Sequence, residues 1–132
     1  SNGDLYVFIT VEKHKIFQRS EENLYYKLPI SMTDAALGAE IDVPTIDGGK
    51  SKVKIPSGTQ SGKQFRLKGK GMPIIRSDDY GDLYLETNVI IPESLSKEQK
   101  DLLEKFKSLE DLDNNSEIKN FINKAKKFWS GN

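Results

Sequence analysis

Up to residue 91 apolar and polar positions alternate along the chain. Leu24, Tyr26, Leu28 and Ile30 fall on one face of an extended run, and Ile41, Val43 and Thr45 on one face of the next. Side chains two residues apart in a strand point the same way, so each run predicts a half-buried strand. Asp47-Gly48-Gly49 supplies a turn into Val53 and Ile55, which predicts a hairpin. Phe65 and Leu67 predict a short strand, and Leu83 to Ile91 a long one. Ser31 to Leu37 reads as a short helical turn stopped by Gly38. Pro29, Pro44 and Pro56 lie in or beside strands, where proline is tolerated at edges, ends or bulges. The pattern predicts a mainly β fold, a small two-layer β-sandwich with short strands and many turns.

Past Pro92 the period changes from two to that of a helix. Ser96 followed three residues later by Gln99 is a capping-box signature. Leu102, Leu103, Phe106 and Leu109 then fall on one stripe. Asp111 to Glu117 is polar and predicts a flexible linker. A second amphipathic segment follows, with Ile118, Phe121, Ile122, Ala125, Phe128 and Trp129 on one face. Such a basic, aromatic segment could lie on a membrane, but docking on a neighbouring subunit or on its own domain is the favoured reading.

One segment occurs twice. Residues 3–11, Gly-Asp-Leu-Tyr-Val-Phe-Ile-Thr-Val, return in altered form at 81–89 as Gly-Asp-Leu-Tyr-Leu-Glu-Thr-Asn-Val. The copies keep register, Leu5 with Leu83 and Val11 with Val89. Self-similarity of this kind marks a structural unit. It predicts a fragment: the last strand of one unit, then one whole unit, then a tail. Ser1-Asn2 reads as a cloning remnant, and the start lacks the charged-then-apolar order of a signal peptide.

Composition narrows the chemistry. The chain has 132 residues, 36% hydrophobic and 30% charged, enough for one domain with a modest core. No apolar run is long enough to span a membrane. Cysteine is absent, which excludes disulfides, thiol catalysis and cysteine zinc sites and suits a reducing compartment. The zero net charge conceals blocks: residues 48–77 carry eight Lys or Arg and no acid. Lys50, Lys52, Lys54, Lys63, Arg66, Lys68 and Lys70 form a candidate patch for an anionic partner. The plainer reading is the solvated face of an edge strand, where lysines discourage aggregation; an acidic peptide and nucleic acid stay open as alternatives.

No constellation for catalysis stands out. Gly58-Thr59-Gln60-Ser61-Gly62-Lys63 has three residues between its glycines and Gln64 after the lysine, unlike a phosphate-binding loop. Lys68-Gly69-Lys70-Gly71 fits a tight turn better than a phosphate cradle. His14 is the only histidine and has no triad or zinc partners, and Asp78 and Asp79 read as turn residues. The chain is expected not to be an enzyme.

Several stretches form an ordered series. They are Gly3-Asp4-Leu5-Tyr6-Val7 leading to His14-Lys15-Ile16-Phe17-Gln18-Arg19, and Asn23-Leu24-Tyr25-Tyr26 with Ala35-Ala36-Leu37-Gly38-Ala39-Glu40. Val43-Pro44-Thr45-Ile46-Asp47-Gly48, then Ile55-Pro56-Ser57-Gly58-Thr59-Gln60-Ser61-Gly62-Lys63, continue the series. Leu67-Lys68-Gly69-Lys70-Gly71-Met72-Pro73 and Gly81-Asp82-Leu83 complete it. Taken in this order, from residue 3 to about 109, the chain resembles the C-terminal substrate-binding region of the DnaJ family of J-domain co-chaperones.

The resemblance implies four segments. Residues 1–17 are the last strand of a preceding β-subdomain and a hinge, 18–92 a second β-sandwich subdomain, 93–110 a dimerisation helix, and 111–132 a polar linker and amphipathic tail. It implies binding of unfolded polypeptides, homodimerisation, a cytoplasmic location and, in the whole protein, delivery of clients to the DnaK ATPase in folding and the heat-shock response. Ile16 and Phe17 match positions near the family's client groove, with a hinge plug as the rival role for both. Leu102, Leu103, Phe106 and Leu109 match its dimer contact. The J-domain His-Pro-Asp loop and the zinc-binding cysteine repeats have no counterpart here, so no cofactor is expected. A purely structural dimerisation module, or a basic β-module binding nucleic acid or acidic peptide, are the alternatives.

Overall fold

A computed structural model describes residues 16–111 and 115–131. The expected strand at 3–11 and His14 lie outside the described residues. The chain divides into two units, one ending at Pro92 and one beginning at Glu93.

The first unit is built on a four-stranded sheet. Its strands are β1 (Gln18–Ser20), β2 (Asn23–Ser31), β5 (Gln64–Leu67) and β6 (Leu83–Ile90), in the order β1-β2-β6-β5. β1 and β5 run antiparallel to their neighbours, whereas β2 and β6 are parallel over eight residue pairs from Leu24↔Leu83 to Ser31↔Ile90. Parallel neighbours need a long crossover. Here it holds a short helix α1 (Met32–Leu37) and the antiparallel hairpin β3 (Ala39–Pro44) and β4 (Lys50–Ile55). That hairpin is the second layer.

The alternation seen in the sequence becomes the core. Leu24, Tyr26, Leu28 and Ile30 from β2 and Leu83 and Leu85 from β6 face Val43, Val53 and Ile55 of the hairpin. Leu24, Leu83 and Leu85 are fully buried; burial of each such side chain contributes roughly 1.5–3 kcal/mol. Ala35 brings α1 into the same cluster. Ser31 caps α1 by accepting the Asp34 N–H, and Gly38 ends it at φ 84°, a conformation that glycine adopts without strain.

Two boundaries differ from expectation. β1 has no apolar signature at all, since Gln18, Arg19 and Ser20 are exposed; pairing with β2 alone makes it a strand. In the second unit the expected linker over 111–117 gives up its last two residues to a helix. Asn115 accepts the Ile118 N–H and starts a helix at Ser116, because a capping asparagine satisfies a first-turn donor that apolar periodicity does not report.

That second unit holds α2 (Lys97–Leu109) and α3 (Ser116–Trp129). The capping box at the start of α2 is complete. Ser96 Oγ accepts the Gln99 N–H at 3.1 Å, and Gln99 Oε1 accepts the Ser96 N–H at 2.9 Å.

Candidate functional site

Because β2 and β6 bury one face, their other side chains share the opposite face of the sheet. The register lines up Gln18, Tyr25, Tyr84 and Arg66 in one row across all four strands. Lys27, Glu86 and Gln64 make the next row. Tyr25 and Tyr84 are direct cross-strand partners, and their rings stack at 5.1 Å and 14°. Stacked aromatic pairs of this kind add to sheet stability. They also leave a wide aromatic plate on the exposed face of the sheet.

A cavity of about 640 Å³ opens over this plate. Ile16, Tyr25, Tyr84 and Pro29 give it apolar walls, while Lys27 and Glu86 provide one charge of each sign. Ile16 is half exposed and lines it directly. Phe17 turns the other way. Its ring meets that of Tyr26 edge-on at 5.2 Å and 89°, against the core. The two neighbours matched to the groove in the sequence therefore go to opposite sides. Tyr25 and Tyr84 were not singled out there; the signal was an aromatic at the polar position of an alternating strand.

Fixed polar contacts tie the strands and turns together. The Tyr26 hydroxyl donates to the Pro44 carbonyl at 2.9 Å, tying β2 to the hairpin, and burial pushes its pKa up to about 12. Asp82, at the foot of β6, accepts the Gly69 N–H at 2.9 Å and Arg66 Nε at 2.7 Å. The Gly69 bond foremost, with Arg66 behind it, holds this carboxyl below the usual range. Its own N–H donates to Asn23 Oδ1 at 2.8 Å, so one residue ties β2, β6 and the turn after β5. Asp47 is likewise held low, chiefly by the Thr45 hydroxyl and then by the Gly49 N–H.

Several of the basic residues have acids beside them. Lys52 and Lys54 stand across the hairpin from Asp42 and Glu40. Lys50 Nζ lies 3.6 Å from Asp42 and Arg66 is paired with Asp82. Lys63, Lys68 and Lys70 sit in or beside loops elsewhere. The Gly69 and Gly71 amides already donate, to Asp82 and to the Gly81 carbonyl. Asp79 closes a turn with Ser77. Among the described residues no three metal-binding side chains converge, and no helix is long and apolar enough to cross a membrane.

On the helices Leu102, Phe106 and Leu109 are 62–71% exposed, and Leu103 is half-buried. Three of the four residues of the α2 stripe are thus exposed.

Comparison with known proteins identifies the family. The model of the DnaJ C terminal domain matches residues 1–92, and that of the chaperone protein DnaJ C-terminal region matches residues 98–131. The chain belongs to the DnaJ C-terminal domain family. A relative from Pelagibacter ubique (strain HTCC1062), named chaperone protein DnaJ, is 60% identical over 129 residues. Relatives of the same name from Brucella anthropi and Brucella suis are 49% and 50% identical. Each alignment covers 98% of this chain but 34% of the relative. The chain therefore spans about a third of the length of the curated relatives it matches, and what it shares with them is a chaperone's C-terminal region.

Proposed function

We propose that this chain is the client-holding and dimerising portion of a DnaJ-type co-chaperone. In the whole protein it would hand unfolded polypeptides to a DnaK-type ATPase. The first unit holds the client, α2 joins two copies, and neither step draws on a metal or nucleotide bound by this chain. Family membership supports the class of function, and one observation carries the site: the Tyr25–Tyr84 plate with Ile16 beside the cavity.

An unfolded chain offers apolar and aromatic side chains on a flexible backbone. A flat aromatic surface accepts many of them without demanding one sequence, because every apolar group gains from leaving water. Lys27 and Glu86 at the same cavity can meet backbone or side-chain groups of either polarity. Joining two copies through Leu102, Leu103, Phe106 and Leu109 gives two such surfaces to one client. The second contact then forms at a raised effective concentration.

Amide NMR titration with a permanently unfolded, reduced model protein tests the site. Shifts should cluster at Ile16, Tyr25 and Tyr84, and a Tyr25→Ser, Tyr84→Ser double variant should bind about tenfold more weakly while keeping its fold. Shifts confined to other faces, or unchanged affinity in the folded double variant, would overturn the assignment. For the assembly, Phe106→Asp should give a folded monomer by light scattering.

A further inference from the structure

The second layer is a sheet of only two strands, β3 and β4, so each has one side without a partner strand among the described residues. The turn sets the phase of their ladder. The Thr45 N–H donates to the Gly49 carbonyl at 3.0 Å, and the Gly48 N–H donates to the Thr45 carbonyl at 3.0 Å. Thr45 and Gly49 are therefore a hydrogen-bonded pair, and bonded and non-bonded pairs alternate along an antiparallel ladder. Val43↔Ser51, Ile41↔Val53 and Ala39↔Ile55 are the bonded pairs, and Pro44↔Lys50, Asp42↔Lys52 and Glu40↔Lys54 the non-bonded ones. In a non-bonded pair the backbone N–H and C=O point away from the partner strand. The outer edge of β4 thus presents the main-chain groups of Lys50, Lys52 and Lys54.

The side chains of the same three residues add charge to that edge. Lys50, Lys52 and Lys54 are exposed on one face, while Val53 and Ile55 are buried on the other. Asp42 lies 3.6 Å from Lys50 rather than beside Lys52, its partner in the register. Among the described residues neither Lys52 nor Lys54 has an acid within ion-pair distance. The outer edge of β3 differs. It carries Glu40 and Asp42 and ends at Pro44, which has no N–H to give. Pro44 also lines the cavity over the tyrosines, whereas no residue of β4 does.

We propose that the outer edge of β4 is a second docking site, which takes an extended acidic segment of another protein as an added antiparallel strand. Side chains on one face of a strand recur about every 6.8 Å, so acids at alternate positions would face Lys54, Lys52 and Lys50 in turn. The exposed face would then show three columns, acid, lysine and acid, from β3 through β4 to the partner. Residues between the acids would lie beside Ser51 and Val53 at the margin of the core, which suits valine or threonine. Edge lysines keep basic and uncharged strands away, and the same charges admit an acidic one. In strand addition the main-chain bonds give affinity and alternate side chains give specificity. A phosphodiester backbone fits less well, since it carries no N–H to offer the lysine carbonyls. The site stands apart from the aromatic plate, and it holds whether or not that plate takes clients.

The test is amide NMR on the full chain with a short capped peptide that alternates glutamate with valine or threonine. Saturable shifts should centre on Lys50 to Ile55, and exchange of the Lys52 and Lys54 amides should slow. A Lys52→Gln, Lys54→Gln double variant, with circular dichroism as the folding control, should bind about tenfold more weakly. N-methylation of the peptide at its glutamates should abolish binding, because those amides would face β4. N-methylation at the intervening residues should leave it intact. No saturable shift at millimolar peptide would overturn the proposal. Equal binding of the glutamate-methylated peptide, or of one with the same composition and its glutamates clustered, would overturn it too by reducing the contact to charge alone. Shifts centred on Ile16, Tyr25 and Tyr84 would place the acidic peptide on the plate instead. Equal slowing of the Lys52 and Lys54 amides by single-stranded DNA would make this edge a general anion surface and not a strand acceptor.

Discussion

Tyr26 shows how one side chain connects the layers and how it can be read in solution. Its ring is buried in the core, meets Phe17 edge-on, and sends its hydroxyl to the Pro44 carbonyl. Burial disfavours the tyrosinate and pushes the pKa up to about 12. The folded state therefore binds more protons than the unfolded one between about pH 10 and 12. The stabilisation is fully present below pH 10 and is lost as pH rises through 12. Tyr26→Phe should abolish the late step in a tyrosinate absorbance titration and flatten the alkaline loss of stability. It should also cost about 1 kcal/mol at neutral pH by unpairing the Pro44 carbonyl. If the last tyrosine to titrate is unchanged in the variant, the shifted group is not Tyr26.

At the scale of elements, most of the fold was legible because its signals are local. Alternation marked β2, β3, β4 and β6, the Asp-Gly-Gly turn marked the hairpin, and Ser96 with Gln99 marked the start of α2. What was not legible depends on partners far along the chain. β1 is a strand by virtue of pairing with β2 and has no pattern of its own. The parallel join of β2 and β6 links residues 59 apart, Leu24 with Leu83, and no turn chemistry announces it. The stacked tyrosines and the acids opposite Lys52 and Lys54 follow from register, which alternation leaves free. Two glycines report on that long-range join. A Cβ at Gly81 would lie far inside contact distance of the Glu22 carbonyl oxygen, and one at Gly71 would lie 2.5 Å from it. These are backbone atoms between strands and cannot swing aside. Gly81→Ala should therefore destabilise the first unit by more than about 4 kcal/mol in chemical denaturation. A loss below 1 kcal/mol would mean that β6 does not enter the sheet beside Glu22.

For the whole molecule the question is whether its charge blocks act as a field or cancel locally. A stretch of eight cations without an acid suggests an anion-binding surface when the sequence is read as a line. Folding changes the neighbours. The hairpin sets Glu40 and Asp42 across from Lys54 and Lys52, Lys50 lies near Asp42, and Asp82 takes Arg66. Exposed pairs of this kind add little stability, but each lowers the local positive potential on which nucleic-acid binding draws. Release of counterions from a phosphate backbone needs several cations on one surface, and it appears as a steep fall of affinity with salt. The chain, with zero net charge, should not bind single- or double-stranded DNA or RNA measurably at about 0.15 M salt. Fluorescence anisotropy across a salt series measures this directly. A logarithmic slope of several units would show that the lysines act together despite their acidic neighbours. Neutralising Asp42 and Glu40 to Asn and Gln should be the change that uncovers weak, salt-sensitive binding. If that pair of substitutions leaves binding absent as well, the spacing of the lysines over hairpin and loops is enough to keep nucleic acid off the surface.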